Sequence, residues 1–188
     1  MKAAITGGQY SHPDGLFYGG TAPVRSRLIW EKILADQLAR RTRAVLIDIH
    51  TGLGKAGSGE LISYLDASSP DFREMSAWFG GDVRSMRSGQ SVTAPVEGTL
   101  TAGFDRLAPC RSHAIGLEFG TRSALAVLNA MRFDQWYHNN AAALPAEYEM
   151  RAREKMKRAF SIAAPWWHDR ITQRFSRVME QLVAGLMK

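Results

Sequence analysis

The fold is decided by a nearly unbroken apolar run, Ala44-Val45-Leu46-Ile47-Asp48-Ile49-His50, which stops at the glycine-rich segment 51–59. A short run this rich in branched residues is typical of a strand that is buried on both faces, as in a parallel sheet. A second run, Ala114-Ile115-Gly116-Leu117-Glu118-Phe119, has the same character and ends at Gly120. We interpret the two runs as parallel neighbours at the centre of an α/β fold.

Apolar residues at helical spacing surround these two runs and predict helices from about 23 to 41, 70 to 78, 124 to 138, 145 to 160 and 165 to 186. Weak alternation predicts short strands over Ser91–Val96 and Thr99–Phe104. Residues 7–23 are too rich in Gly and Pro for a regular element and predict a structured loop. The predicted fold is a mixed, largely parallel sheet flanked by helices, in a single domain covering residues 1–188.

The composition is that of an ordinary globular protein, with 45% apolar and 22% charged residues. The net charge is +6, but much of the excess lies between Arg151 and Arg177, on predicted amphipathic helices. A solvated helix face explains it better than a nucleic-acid surface does. No apolar run reaches the roughly 18 residues of a membrane span, and one cysteine, Cys110, permits no internal disulfide. We therefore expect a cytoplasmic protein with neither a membrane nor a nucleic-acid partner.

Two polar residues occur where the predicted strands should be buried away from water. His50 closes the first run and Glu118 lies near the end of the second. Ligands of open α/β sheets bind beyond the carboxyl ends of the strands, so the two side chains are predicted to meet there. A neutral imidazole can bind a metal ion and a nearby carboxylate can accept a proton from water. Asp48 points to the same side as His50, and either orients the imidazole or bonds to the backbone.

Taken alone, this pattern leaves a structural histidine open. Three motifs favour a site: Gly8-Gln9-Tyr10-Ser11-His12-Pro13-Asp14-Gly15-Leu16-Phe17-Tyr18-Gly19-Gly20, Ile47-Asp48-Ile49-His50-Thr51-Gly52-Leu53-Gly54 and Leu117-Glu118-Phe119-Gly120-Thr121. Together they resemble the bacterial carboxypeptidase-like proteins of unknown function in the zinc carboxypeptidase superfamily. That superfamily also includes carboxypeptidase A, aspartoacylase and succinylglutamate desuccinylase.

The resemblance implies a zinc-dependent amide hydrolase of the metallocarboxypeptidase or N-acyl amino acid deacylase type. His50 matches the third zinc ligand, with Asp48 behind it. Glu118 matches the carboxylate that activates water and then protonates the leaving amine. The implied substrate is a small molecule or peptide with a free carboxylate. Arg122 is of the right chemical type to bind that carboxylate, although a surface arginine is the simpler explanation.

The His-x-x-Glu motif that supplies the first two zinc ligands in the superfamily does not occur in this sequence. We therefore expect the sheet to be incomplete at its N-terminal side, and zinc binding by this chain alone to be weak or absent. A separate N-terminal half or a homo-oligomer could complete the site, and His12 or His113 could complete a non-standard one. The alternative is a non-catalytic ligand-binding or interaction domain that lacks a complete metal site.

Overall fold

The computed structural model describes residues 7–187, and its strands form one sheet in the order β1-β4-β2-β3. The strands are β1 (Arg43–Gly52), β2 (Gly59–Ser63), β3 (Val83–Ser85) and β4 (Arg111–Gly120). β1 is parallel to β4 and β2 is parallel to β3, whereas β2 runs antiparallel to β4. The sheet is thus mixed and mostly parallel, which confirms the predicted fold class.

Helices cover both faces of this sheet. In the described part of the chain they are α1 (Arg25–Leu38), α2 (Pro70–Trp78), α3 (Leu100–Leu107), α4 (Ala124–Asn140), α5 (Glu147–Phe160) and α6 (Pro165–Leu186). A short 3-10 helix, Ala141–Ala143, joins α4 to α5. None of these helices combines the length and the apolar character needed to cross a lipid bilayer.

Alternation along β4 assigns its side chains to two different layers. Ile115, Leu117 and Phe119 are buried in the main core, where α2 and α6 pack against the sheet. Ala114 points to the opposite face and packs with Leu34 of α1 and Phe104 of α3 in a smaller cluster. Because side chains alternate along a strand, Gly116 and Glu118 share the face of Ala114. The polar end of β4 therefore lies on the side of the sheet that α1 and α3 cover.

The prediction of a strand over Thr99–Phe104 is wrong, because this segment begins helix α3. The Thr99 hydroxyl oxygen accepts a hydrogen bond from the Ala102 amide and caps the helix, at an oxygen–nitrogen distance of 3.2 Å. Thr101 and Phe104 are the buried residues of the helix, and their spacing of three fits one helical face. Over only six residues, alternation and helical spacing are hard to tell apart.

Ser91–Val96 is irregular rather than a strand. The Ser91 hydroxyl oxygen accepts a hydrogen bond from the Thr93 amide at 3.1 Å, which makes a local turn. Pro95 then removes a further backbone donor. The sequence interpretation also missed β2 and β3, which are short. It started α1 about two residues too early and ended it about three residues too late. Of the predicted domain, residues 1–6 and 188 lie outside the described chain.

Candidate functional site

The two polar residues singled out by the sequence lie side by side. In the register between β1 and β4, His50 is directly opposite Glu118. Asp48 is two residues before His50 on the same face of β1, opposite Gly116. The carboxyl ends of these parallel strands therefore gather an imidazole and two carboxyl groups at one place, although 68 positions separate His50 from Glu118 along the chain.

His50 is oriented by Asp48. The imidazole Nε2 lies 2.9 Å from the Asp48 Oδ2, which leaves Nδ1 as the ring nitrogen available to another partner. The hydrogen bond to Asp48 raises the pKa of His50; burial opposes this rise, and the charges of Asp48 and Glu118 add to it. Asp48 therefore holds one ring nitrogen and favours the protonated imidazole when nothing else is bound.

Glu118 is mostly shielded from solvent and incompletely neutralised. Its Oε1 accepts a hydrogen bond from the Leu53 amide at 2.9 Å. Burial raises the pKa of Glu118, and the charges of Glu60 and Asp48 raise it further, whereas the Leu53 amide and His50 lower it. Gly52 is required beside this carboxyl group, because its φ is +154° and a Cβ there would lie 3.3 Å from the Glu118 Oε1.

Glu60 is a member of this cluster that sequence reasoning missed. It lies on β2 directly opposite Glu118, so the two carboxyl groups project from neighbouring strands on the same face. Its Oε1 accepts a hydrogen bond from the Val92 amide at 3.0 Å and so ties segment 91–93 to the sheet. The only signal in the sequence was a charged residue before the apolar pair Leu61-Ile62, which is common at strand starts.

A cavity of about 270 Å³ opens beside these groups. Asp48, His50 and Glu118 form its polar wall. The remaining wall comes from β2, β4 and the chain between β3 and the first turn of α3. Its residues are Ile62, Met86, Thr93, Val96, Thr99, Leu100, Thr101, Gly116 and Leu117. The sequence-predicted carboxylate and imidazole thus face one shared cavity, large enough for a small organic group.

The side chains at this place are of types that bind zinc, but there are too few of them for a catalytic zinc site. Catalytic zinc usually has three protein ligands, and His50 offers one free imidazole nitrogen. Within residues 7–187, no group of three His, Cys, Asp or Glu side chains is arranged to hold a metal ion. His113 does not complete the set, because it belongs to the buried face of β4, where its ring contacts Trp78 edge-on. A zinc ion at His50 would need ligands beyond those of the described residues.

Arg122 lies apart from the cavity. Its Nε donates a hydrogen bond to the Arg158 carbonyl oxygen at 3.2 Å, near the end of α5. It lines a separate groove of about 370 Å³ between α4 and α5, together with Lys155 and Arg158. The backbone bond gives Arg122 a structural contact, whereas its predicted role in binding substrate stays a prediction.

The comparisons with known proteins place the chain in a family. No curated protein and no solved structure matches it. One family model, described as a protein of unknown function, matches residues 1–174. Because this match covers most of the 188 residues, the chain belongs to this family, DUF2817.

Proposed function

We propose that this chain carries one side of the active site of a zinc-dependent amide hydrolase, of the metallocarboxypeptidase or N-acyl amino acid deacylase type. One observation carries the proposal: His50 and Glu118 are opposite each other at the carboxyl ends of parallel strands, beside a shared cavity. The resemblance of the three motifs to the zinc carboxypeptidase superfamily supports the same assignment. The superfamily relation itself is part of the proposal.

Glu118 is the residue on which the proposed reaction depends. As an ionised carboxylate it takes a proton from the attacking water, and as a carboxylic acid it returns that proton to the leaving amine. A carboxyl group performs both steps best when its pKa is closer to neutrality than that of free glutamate. The burial that raises the pKa of Glu118 serves this purpose, and the Leu53 amide holds its Oε1 in place.

His50 is proposed as a zinc ligand through Nδ1, with Asp48 fixing the ring from the other side. In hydrolases of this kind zinc supplies Lewis acidity toward the amide carbonyl. The remaining ligands are proposed to come from a separate N-terminal half or from a second copy of the chain. The resemblance also implies a free carboxylate on the substrate.

A second candidate function is ligand binding without catalysis. It is favoured by the donors at the cavity: among residues 7–187, no group of three His, Cys, Asp or Glu side chains is arranged to hold a metal ion, and His50 alone does not hold a catalytic zinc ion. The cavity and its polar wall would then recognise a small molecule without transforming it. The two functions differ in what happens to an amide after it binds.

Hydrolysis of N-acetyl amino acids and dipeptides tests the proposal. It is measured on the assembly in which a separate N-terminal half or a second copy of the chain supplies the remaining zinc ligands, with zinc at saturation; this assembly is the zinc-loaded protein. Glu118→Gln keeps the size and the acceptor oxygen but cannot take up a proton. We expect kcat to fall by roughly 10²–10⁴ while zinc content is unchanged. Glu180→Gln is the matched control, because Glu180 is exposed on α6 and α6 packs on the opposite face of the sheet.

Each outcome decides between the two functions. A large loss in Glu118→Gln together with a normal rate in Glu180→Gln supports the hydrolase. Equal rates in the Glu118 variant and the wild-type protein would remove Glu118 from the mechanism. Saturable binding of these compounds with no turnover, in zinc-loaded wild-type protein, would favour the non-catalytic alternative.

A further inference from the structure

We propose that the cavity beside Glu118 takes an uncharged apolar group of the substrate, such as an aliphatic side chain or acyl chain. The favoured substrates are then amides whose group next to the scissile bond is apolar rather than charged. The substrate preference rests on the proposed function, because only a hydrolase would have a substrate. The binding preference itself does not require hydrolysis and can be measured separately.

The rest of the cavity wall is largely apolar. Ile62 and Met86 are buried side chains, and Val96 and Leu100 extend the same surface toward solvent. No Lys or Arg side chain is among the described residues that line the cavity. An apolar group that leaves water to contact this wall gains free energy, whereas a charged group would lose hydration without gaining a cationic partner.

The three threonines of the cavity do not change this preference, because each of them already has a hydroxyl partner within hydrogen-bonding distance. The Thr99 and Thr101 hydroxyl oxygens are 3.0 Å apart. The Thr93 and Ser91 hydroxyl oxygens are 2.8 Å apart. Hydroxyl groups that are paired in this way do not need a hydrogen bond from the ligand. An apolar group bound beside them therefore leaves few polar atoms without a partner.

The charges at the polar wall act against an anionic substituent. Asp48, Glu60 and Glu118 supply three carboxyl groups near one imidazole, that of His50. Among the described residues, no guanidinium lines this cavity: Arg122 lines a different groove, and Arg87 and Arg106 line an adjoining cavity that shares Met86 and Val96 with it. A carboxylate bound within this cavity would therefore approach the negative cluster without a cationic partner there. Any free carboxylate of the substrate is therefore expected to lie outside this cavity.

The size of the cavity limits the group that it can hold. Its volume is about 270 Å³, just below the range of roughly 300–1,000 Å³ that is usual for whole drug-sized ligands. One side chain of the size of leucine or phenylalanine suits this space, whereas an extended peptide does not. Segment 91–93, which the Val92 amide ties to Glu60, carries Thr93 into the wall and so helps to set this size.

Three probes of nearly equal size test the preference: N-acetyl-leucinamide, N-acetyl-asparaginamide and the 1-amide of N-acetyl-aspartate. They differ only in the polarity and charge of one side chain, and both backbone ends are uncharged. Binding is followed by NMR chemical-shift changes at the cavity residues at pH 7. We expect the leucine probe to bind at least about tenfold more tightly than the other two.

Leu100→Asp places a carboxylate in the cavity wall at a residue that is 41% exposed, so the variant is expected to fold. It should weaken the leucine probe about tenfold. Leu107→Asp is the matched control: it is the same substitution on the same helix, at a residue that is 39% exposed and outside this cavity. It should leave the affinity for the leucine probe unchanged.

The inference is overturned if the asparagine or aspartate probe binds as tightly as the leucine probe. Absence of cavity shifts with all three probes, or equal losses in the two aspartate variants, would overturn it as well. Failure of the proposed function looks different. In that case the leucine probe binds selectively, but zinc-loaded protein does not hydrolyse the amides tested for turnover.

Discussion

The two ends of β1 and β4 carry clusters of charged residues that are built in opposite ways. At the amino ends, the carboxylate of Glu74 on α2 pairs with Arg43 at 3.2 Å and also with Arg111. Arg43 in addition donates a hydrogen bond to the Leu186 carbonyl oxygen. At the carboxyl ends, Glu118 has the Leu53 amide and a nearby imidazole, with two further carboxyl groups close by.

The two clusters have different roles: the charge of Glu74 stabilises the fold, whereas that of Glu118 is available for chemistry. Two guanidinium groups neutralise Glu74 and join β1, β4, α2 and the end of α6. Glu118 faces a cavity, and burial, which raises the pKa of its carboxyl group, outweighs the Leu53 amide and His50, which lower it. A buried carboxyl group that has a raised pKa and faces a cavity is characteristic of functional sites.

The largest effect on stability is expected from the charged cluster at the amino ends of β1 and β4. Glu74→Ala leaves Arg43 and Arg111 without their shared partner. Because the three side chains are partly exposed, we expect it to lower the free energy of unfolding by about 1 kcal/mol. Urea denaturation measures the change. Glu180→Ala, an exposed glutamate on α6, should change it by less than about 0.5 kcal/mol. A Glu74 variant as stable as the Glu180 variant would refute the structural role of this cluster.

The next effect concerns metal binding at the carboxyl ends. We expect weak zinc binding by this chain, reduced about tenfold or more in His50→Ala and unchanged in His138→Ala, which removes an exposed imidazole on α4. Because Asp48 raises the pKa of His50, protons should compete with zinc, and affinity should fall as the pH is lowered. Calorimetry measures both trends. Tight one-to-one binding, or equal affinity in His50→Ala, would contradict the assignment.

The smallest effect is a gain in stability. A carboxyl group whose pKa is raised in the folded state binds more protons there than in the unfolded state, so stability falls as the pH rises through the window above its ordinary pKa. Glu118→Gln removes this penalty. We expect it to stabilise the protein at pH 7 by less than about 1 kcal/mol, and the gain to vanish as the pH falls toward 4.5, the ordinary pKa. Denaturation at both pH values checks this; destabilisation at pH 7 would count against it.

The central strands and the meeting of His50 with Glu118 could be read from the sequence for a physical reason. A run of branched apolar residues has few alternatives to a buried strand, and the polar residue that ends such a run has little choice of location. The alternation of side chains along a strand also predicted that Asp48 lies on the same face as His50, as it does. These inferences use only local geometry and the burial of apolar side chains.

The remaining features depend on tertiary contacts that no local pattern records. Glu60 reaches Glu118 only because the short strand β2 inserts antiparallel between β4 and β3. The helix over Leu100–Leu107 is selected by the Thr99 cap and by the packing of Phe104, neither of which alternation can reveal. The bond from Arg122 to the Arg158 carbonyl depends on how α5 ends, which its sequence neighbours do not indicate.

The contrast between the two ends is tested most directly by titrating the Glu118 carboxyl group itself. Carbon-13 NMR of protein labelled at the glutamate side chains can follow it, with Glu118→Gln identifying the signal. We predict that the pKa of Glu118 lies above 4.5 and falls in Glu60→Gln, because that variant removes a neighbouring negative charge. A pKa at or below 4.5 in the wild-type protein would contradict the claim that this end of the sheet leaves a carboxylate uncompensated.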